Sequence, residues 1–301
     1  MIESRHQLAD ADVGAVAALV DAAIDVDGVA ALSEQGMLRL TGAPATHLLI
    51  RHDGRPVGYA QLDEASGAAE LVVHPDHRRR GLGRALVAQL MADVDGPEPK
   101  IWAHGDLPAA KSLAAAAGLE RVRSLWQMGR SLTDDLPEPE IPDGIIVATF
   151  VPGVDDEAWV ALNARAFADH PEQGRWTLTD LHDRTREPWF DPAGFFIAKR
   201  GSSMVGFHWT KVHDESTGEV YVVGIDPTER GHGLGKALTL VGLHHLDDSG
   251  LAQVILYVDE SNLSAVRLYR GLGFERIGLD IMYARSPTIS ATGRFPTSPE
   301  S

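Results

Sequence analysis

The chain has 301 residues, enough for two domains of ordinary size. Hydrophobic residues make up 44% and charged residues 23%, the balance of a globular rather than a disordered protein. A net charge of −16 argues against nucleic acid or an anionic membrane as the main partner, and the absence of cysteine excludes disulfides, thiolate metal sites and a cysteine nucleophile.

At the N-terminus, Asp10, Asp12, Asp21, Asp25 and Asp27 interrupt any apolar core that a leader peptide would need. No apolar run reaches the length of a membrane span, so the expected location is the cytoplasm. From Gly14 to Ala23, small and apolar residues recur at helical spacing. Two strands follow, THLLIR from Thr46 and PVGYAQL from Pro56. A third strand, ELVV from Glu70, runs into His74-Pro75 and then the glycine turn and helix of RRRGLGRALV. The strand IWAH from Ile101 precedes a helix that stops at Gly118, a glycine suited to a left-handed cap.

Residues 133–144, TDDLPEPEIPDG, carry three prolines and five acidic residues and read as an extended linker. The same order then repeats. A helix from Glu157 to Phe167 leads to the strands GFFIAKR and MVGFHWTKV, then to GEVYVVGIDP with its glycine turn and helix, ERGHGLGKALTLV. The strand VILYV and a helix ending at Gly273 close the second copy. The stretch from Ser286 is polar and Pro-rich and reads as a disordered tail. The expected organisation is therefore a domain at 1–132, a linker at 133–144, a second domain at 145–285 and a tail at 286–301. Each domain is expected to be α/β, a mixed sheet with helices on both faces.

The pattern Arg-x-x-Gly-x-Gly is the centre of this duplication, with Arg78, Gly81 and Gly83 in one copy and Arg230, Gly233 and Gly235 in the other. A proline stands six residues before the first motif glycine in both. Strand, glycine turn and helix start together aim backbone N–H groups and the positive end of a helix dipole at one point, which suits a phosphorylated ligand. Neither copy ends in Gly-Lys-Ser/Thr, so a P-loop is excluded. Charged residues before the glycines make a dinucleotide fingerprint a poor fit. In so acidic a chain an anion needs local cations, and Arg78, Arg79 and Arg80 with Arg84 form the densest basic cluster.

The two copies differ where chemistry would lie. Glu219 opens the second motif strand on the face shared by Tyr221, Val223 and Ile225. Asn262 and Tyr269 are spaced by about two helical turns. Registering the prolines places Gly67 opposite Glu219; registering Gly118 on Gly273 places Ala114 opposite Tyr269 and Leu107 opposite Asn262. Thus only the second copy pairs a carboxylate with a phenol. The alternatives are a solvated strand-end Glu219 and a core tyrosine at a helix–sheet interface. The histidines, among them His170, His208, His213, His244 and His245, show no ligand spacing and no metal is expected.

The two glycine turns resemble the acyl-CoA pyrophosphate loop of the GNAT N-acetyltransferases. Further segments, VDGVAALSEQ, IWAHGDL, HPEQGRW, WFDP, GFHWTKVH and LYVDESNLSAVRLYRGLGF, are similar to the mycothiol synthases, a tandem-GNAT family. This resemblance spans both domains and the linker. It implies an enzyme that transfers acetyl from acetyl-CoA to the cysteinyl amine of Cys-GlcN-Ins, acting as a monomer. It implies Glu219 as general base and Tyr269 as the acid for the departing thiolate. CoA contacts are implied at Val223, Gly224, Ile225, Arg230, Gly231, His232, Gly233, Leu234, Gly235 and Lys236, and at Asn262, Ser264, Ala265 and Arg267. In the first copy they fall on Leu71, Val72, Val73, Arg79, Arg80, Gly81, Leu82, Gly83 and Arg84, in a domain that holds acetyl-CoA without turning it over. Acceptor contacts fall on Glu34, Glu172, Lys211, Glu219 and Tyr257. The competing readings are an acetyltransferase for another small amine or a protein N-terminus, and a non-catalytic acyl-CoA sensor.

Overall fold

A computed structural model describes residues 1–42, 45–92, 97–170 and 173–286. The first half contains β1 (Ile2–Arg5), α1 (Asp10–Asp27), α2 (Glu34–Leu38), β2 (Thr46–His52), β3 (Arg55–Leu62), β4 (Ala68–Val73), α3 (Leu82–Leu90), β5 (Lys100–Ala103) and α4 (Pro108–Ala116). The long strand β6 (Leu119–Ser131) follows. The second half contains β7 (Ile145–Thr149), α5 (Asp156–Ala166), α6 (Leu178–Thr185), β8 (Phe195–Arg200), β9 (Ser203–Val212), β10 (Thr217–Ile225), α7 (Leu234–Asp248), β11 (Gln253–Asp259), α8 (Leu263–Gly271) and β12 (Glu275–Arg285). Every element read from the sequence is present. Additional elements are α2 and α6, too short for periodicity to reveal, and the strands β1, β6, β7 and β12, which the sequence reading did not single out.

The chain forms two compact units that are not contiguous in sequence. Unit 1 comprises Met1–Val122 with the segment from Ile281, and unit 2 comprises Arg123–Asp280. In unit 1, β1 to β4 pair antiparallel in order, and β4 pairs parallel with β5. The last strand of that sheet is the end of β12, whose Ile281, Met282 and Tyr283 pair antiparallel with Ala103, Trp102 and Ile101. In unit 2, β7 to β10 pair antiparallel and β10 pairs parallel with β11. Its closing strand is β6, with Gln127 opposite Tyr257. Each sheet is thus completed by the closing strand of the other copy.

Both faces of each sheet are covered. In unit 1, Leu48, Ala60 and Ala69 pack with Leu86 and Leu90 of α3, while Leu49, Tyr59 and Val72 pack with Val16, Leu19 and Val20 of α1. Strand alternation divides these residues between the two faces. In unit 2, Val220, Val254 and Leu256 meet Leu240 and Leu243 of α7, while Phe195, Phe207 and Trp209 meet Trp159 and Leu162 of α5. The acidic linker contains no helix or strand, but it is not free: Leu136 packs on the core of unit 2 and the Pro137 carbonyl is 3.0 Å from His244 Nε2.

Candidate active site

In unit 2 the motif strand β10 ends at Ile225, and Asp226 caps a short turn at Pro227–Glu229 by accepting from the Thr228 N–H. Gly231 and Gly233 then adopt φ of +83° and +86°. Gly233 is the N-cap of α7 and offers that helix start no side-chain cap. The loop therefore presents helix-start donors that no side chain of its own caps, the arrangement that suits a pyrophosphate. His232 and Lys236 are exposed beside it. Arg230 has a fixed anchor: its Nη2 donates to the Ala166 carbonyl at 2.6 Å, holding the loop to the end of α5.

Unit 1 repeats this geometry. Gly81, with φ of +83°, is the uncapped N-cap of α3. Arg79 stands where the second copy has Gly231 and keeps a left-handed φ of +63°. Arg78 is bound bidentately by Asp27 at 2.7 Å and also donates to the Val73 carbonyl, so it fixes the loop rather than facing a ligand. Arg79, Arg80 and Arg84 are exposed.

The motif strands lose their parallel partners early. The β10–β11 ladder covers Thr217–Val220 and the β4–β5 ladder covers Ala68 and Ala69. Among the described residues no ladder joins these pairs further along, so each sheet opens at that end. In β10 a bulge between Val220 and Val222 marks the point of divergence. The bulge adds one residue to the second copy, so Ala68 rather than Gly67 occupies the ladder position equivalent to Glu219. Gly224, just beyond it, lies under the Phe207 ring, which leaves no space for a Cβ.

Glu219 is buried on β10. Its Oε2 lies 2.6 Å from His213 Nε2, and its register partner on β9 is Lys211. Lys211 Nζ sits 4.4 Å from the Trp189 ring centroid and 5.4 Å from that of Tyr221. Arg184 donates to the Tyr221 hydroxyl at 3.0 Å and lies 3.8 Å above Trp176. A wall of alternating aromatic and cationic side chains thus adjoins the carboxylate. On β11, Tyr257 accepts from Gln127 at 3.1 Å. Burial and the nearby charges of Glu219 and Asp280 push its phenol pKa up. The sheet therefore brings Lys211, Glu219 and Tyr257 onto adjacent strands. Glu34 lies on α2 of unit 1, and Glu172 falls outside the described residues.

Of this group the sequence reading missed His213, Arg184, Trp176 and Trp189. The signal was present, because both tryptophans and His213 fall within the distinctive segments HPEQGRW, WFDP and GFHWTKVH.

On α8, Asn262 is the N-cap and its Oδ1 accepts from Ala265 N and Ser264 Oγ. Its side chain is therefore engaged with the helix start. Tyr269 is buried against Phe274, and burial pushes its phenol up to about 12. It stays protonated at neutral pH. Val223 and Ile225 are half-buried, whereas Ser264 and Arg267 are exposed.

The motif strand of unit 1 also holds a carboxylate, away from the ladder position of Glu219. Glu70 is buried on β4, on the same face as Ala68. It accepts from the Ser33 N–H at 2.9 Å and from Gln61 Nε2 at 2.8 Å, and lies 3.0 Å from His104 Nε2. Gln61 in turn accepts from Tyr59, whose hydroxyl is 2.7 Å from His47 Nδ1. Burial raises the Glu70 pKa, but His104 and Ser33 outweigh it and hold the group below the usual carboxylate range. Gly36 of α2 packs directly on Glu70 and Gln61 and leaves no space for a Cβ. This carboxylate is sealed under α2.

The chain is similar in sequence and in fold to known proteins. The acetyltransferase (GNAT) family matches residues 159–274, and an acetyltransferase (GNAT) domain matches residues 43–117. The mycothiol acetyltransferase of Thermobispora bispora is 56% identical, with 91% of this chain and 96% of the relative covered. That of Streptomyces scabiei is 54% identical, with 95% and 96% covered. Among solved structures, a GCN5-related N-acetyltransferase from Sphaerobacter thermophilus superposes with a TM-score of 0.67 at 26% identity, covering 94% of each chain. A tandem GNAT protein from the clavulanic acid biosynthesis pathway has the same fold, with a TM-score of 0.70 at 21% identity over 96% of this chain and 100% of that one. The chain is an acetyltransferase of the GNAT family and belongs to its mycothiol acetyltransferases.

Proposed function

We propose that the chain transfers the acetyl group of acetyl-CoA to the cysteinyl amine of Cys-GlcN-Ins, and that turnover takes place in unit 2. The observation that carries this reading is the buried Glu219 carboxylate, flanked by Lys211 and Tyr257, on the strand that feeds the glycine loop of α7. An α-amino group has a pKa of roughly 7.7–8.0 and is mostly protonated at neutral pH. Glu219 removes its proton, directly or through a water, an effect of about 10²–10⁴ in rate. The free amine then attacks the thioester carbonyl, forming the C–N bond. Backbone N–H groups at the open end of β10, around Val223 to Ile225, are the donors for the oxyanion. Collapse breaks the C–S bond, and Tyr269 gives the thiolate its proton. Burial pushes that phenol up to about 12, so it is protonated before each turnover. No covalent acyl-enzyme is formed.

CoA phosphates lie at the Gly231–Lys236 loop, with the final helix from Asn262 to Arg267 alongside. Within unit 2, Lys211, Glu219 and Tyr257 contact the acceptor, where polar and charged groups hydrogen-bond sugar and inositol hydroxyls. Unit 1 holds acetyl-CoA at Leu71–Val73 and Arg79–Arg84 without turnover, since its buried carboxylate is sealed under α2 and Ala114 replaces the phenol. The test is to incubate the protein with acetyl-CoA and Cys-GlcN-Ins, and in parallel with an aminoglycoside and an N-terminal peptide. A single acetyl added to Cys-GlcN-Ins, with much slower or no transfer to the others, is the expected result. Preferential transfer to another amine overturns the substrate assignment.

A further inference from the structure

We infer that His213 is a positioning residue for acetyl transfer, orienting the Glu219 carboxylate and carrying its proton to solvent. The inference rests on the acetyltransferase reading of Glu219. His213 Nε2 lies 2.6 Å from Glu219 Oε2, a short charge-assisted contact. The two side chains differ in access to water: that of Glu219 is 8% exposed and that of His213 is 34% exposed. A carboxylate so enclosed that accepts a proton in every cycle needs a route for its release, and His213 joins it to the surface.

The hairpin places His213 beside the carboxylate. His213 N donates to the Thr217 carbonyl at 2.9 Å, closing the turn between β9 and β10. Asp214 Oδ1 accepts from Ser216 N, Ser216 Oγ and Thr217 N within 3.0 Å. The turn is thus hydrogen-bonded to itself, and the Nε2 contact sets the imidazole at one edge of Glu219. The other ionisable groups around the pair are Lys211 across the β9–β10 ladder, Tyr257 on β11 and, beyond it, Asp280 on β12. Asp214 caps the turn itself. Of these, imidazole is the side chain that ordinarily exchanges protons near neutral pH.

The proton balance requires such a path. An ammonium acceptor and acetyl-CoA yield an amide, CoA thiol and one proton. The ammonium loses two protons in becoming the amide, and one of them restores to Tyr269 the proton that the phenol gives the thiolate. Protonated Glu219 passes the other to Nε2 of the Nδ1–H tautomer of His213, the Nδ1 proton leaves to water, and the ring, now donating Nε2–H to the carboxylate, returns to the first tautomer by exchange with solvent. Glu70 of unit 1 offers a contrast: it is held by Ser33, Gln61 and His104 together beneath α2.

The test compares His213→Gln, which keeps a side-chain donor for Glu219 but cannot carry a proton, with His213→Ala. Both should lower kcat at least about tenfold, below the loss from removing a general base outright, and leave the acetyl-CoA KM unchanged. Adding free imidazole should restore much of the activity of His213→Ala, and both variants should retain the wild-type far-UV circular dichroism. Wild-type-like kcat in His213→Gln across about pH 6–9, or no rescue of His213→Ala by imidazole, overturns the relay. A wild-type protein that releases no CoA in the presence of any amine overturns the acetyltransferase reading itself, which separates the two failures.

Discussion

Gly36 illustrates how one missing side chain sets the character of a whole unit. It lets α2 settle on Glu70 and Gln61, so the carboxylate of β4 is shut away while that of β10 keeps a partner near water. Gly36→Ala should force α2 off this network and destabilise unit 1 by roughly 1–3 kcal/mol, read by urea denaturation, with little effect on the acetyl-CoA KM of unit 2. Glu219 and Tyr269 belong to the same scale. Glu219→Gln retains the shape and should lower kcat by about 10²–10⁴, abolishing the acidic limb of the pH–rate profile. Near-normal turnover in that variant would place the base elsewhere. Tyr269→Phe should reduce kcat while leaving the KM for Cys-GlcN-Ins little changed. If it raises only that KM, the phenol is an acceptor contact.

Among the elements, the two glycine loops invite direct comparison because their backbones match at Arg79/Gly231 and at Gly81/Gly233. Since Arg79 tolerates a left-handed φ, Gly231→Ala should cost only about 1 kcal/mol and leave CoA binding intact. Paired Gly233→Glu and Gly235→Glu changes should instead place carboxylates at the anion site and abolish turnover. The same changes at Gly81 and Gly83 should leave turnover measurable. A folded first-loop variant with no activity, beside an active second-loop variant, would reverse the assignment of units. The strands make a related point. The bulge in β10 adds one residue beside Tyr221, and this displaced the register expected from the prolines by one position.

For the whole molecule, two histidines of unit 2 tie stability to pH. Burial lowers the His208 pKa to about 4, although the Leu238 carbonyl accepting from its ring opposes that shift. Burial and the charge of Arg123 lower His170 to about 4 as well. Unfolded histidine titrates near 6.5, so the native state binds fewer protons between about pH 6.5 and 4. Stability from these groups is therefore complete above about pH 6.5 and declines as pH falls toward 4. Urea midpoints from tryptophan fluorescence should fall between pH 7 and pH 5, and His170→Gln should reduce that fall. An unchanged midpoint over this interval would contradict the burial of the two rings as neutral groups.

The sequence by itself determined the duplication, the order of the elements around each glycine loop and the loops themselves, because these depend on local periodicity and on backbone freedom at a few positions. It also marked Glu219, Lys211 and Tyr257 through segments that resemble one family. Tertiary structure alone decided which sheet each closing strand joins, since β6 and β12 carry no local signal of their partner. It alone revealed Glu70 as a buried carboxylate, because a glutamate at the start of an apolar run reads equally well as solvated until Ser33, Gln61 and His104 surround it. And it placed His213 against Glu219: a contact across a hairpin turn depends on the turn's geometry, which sequence spacing does not supply.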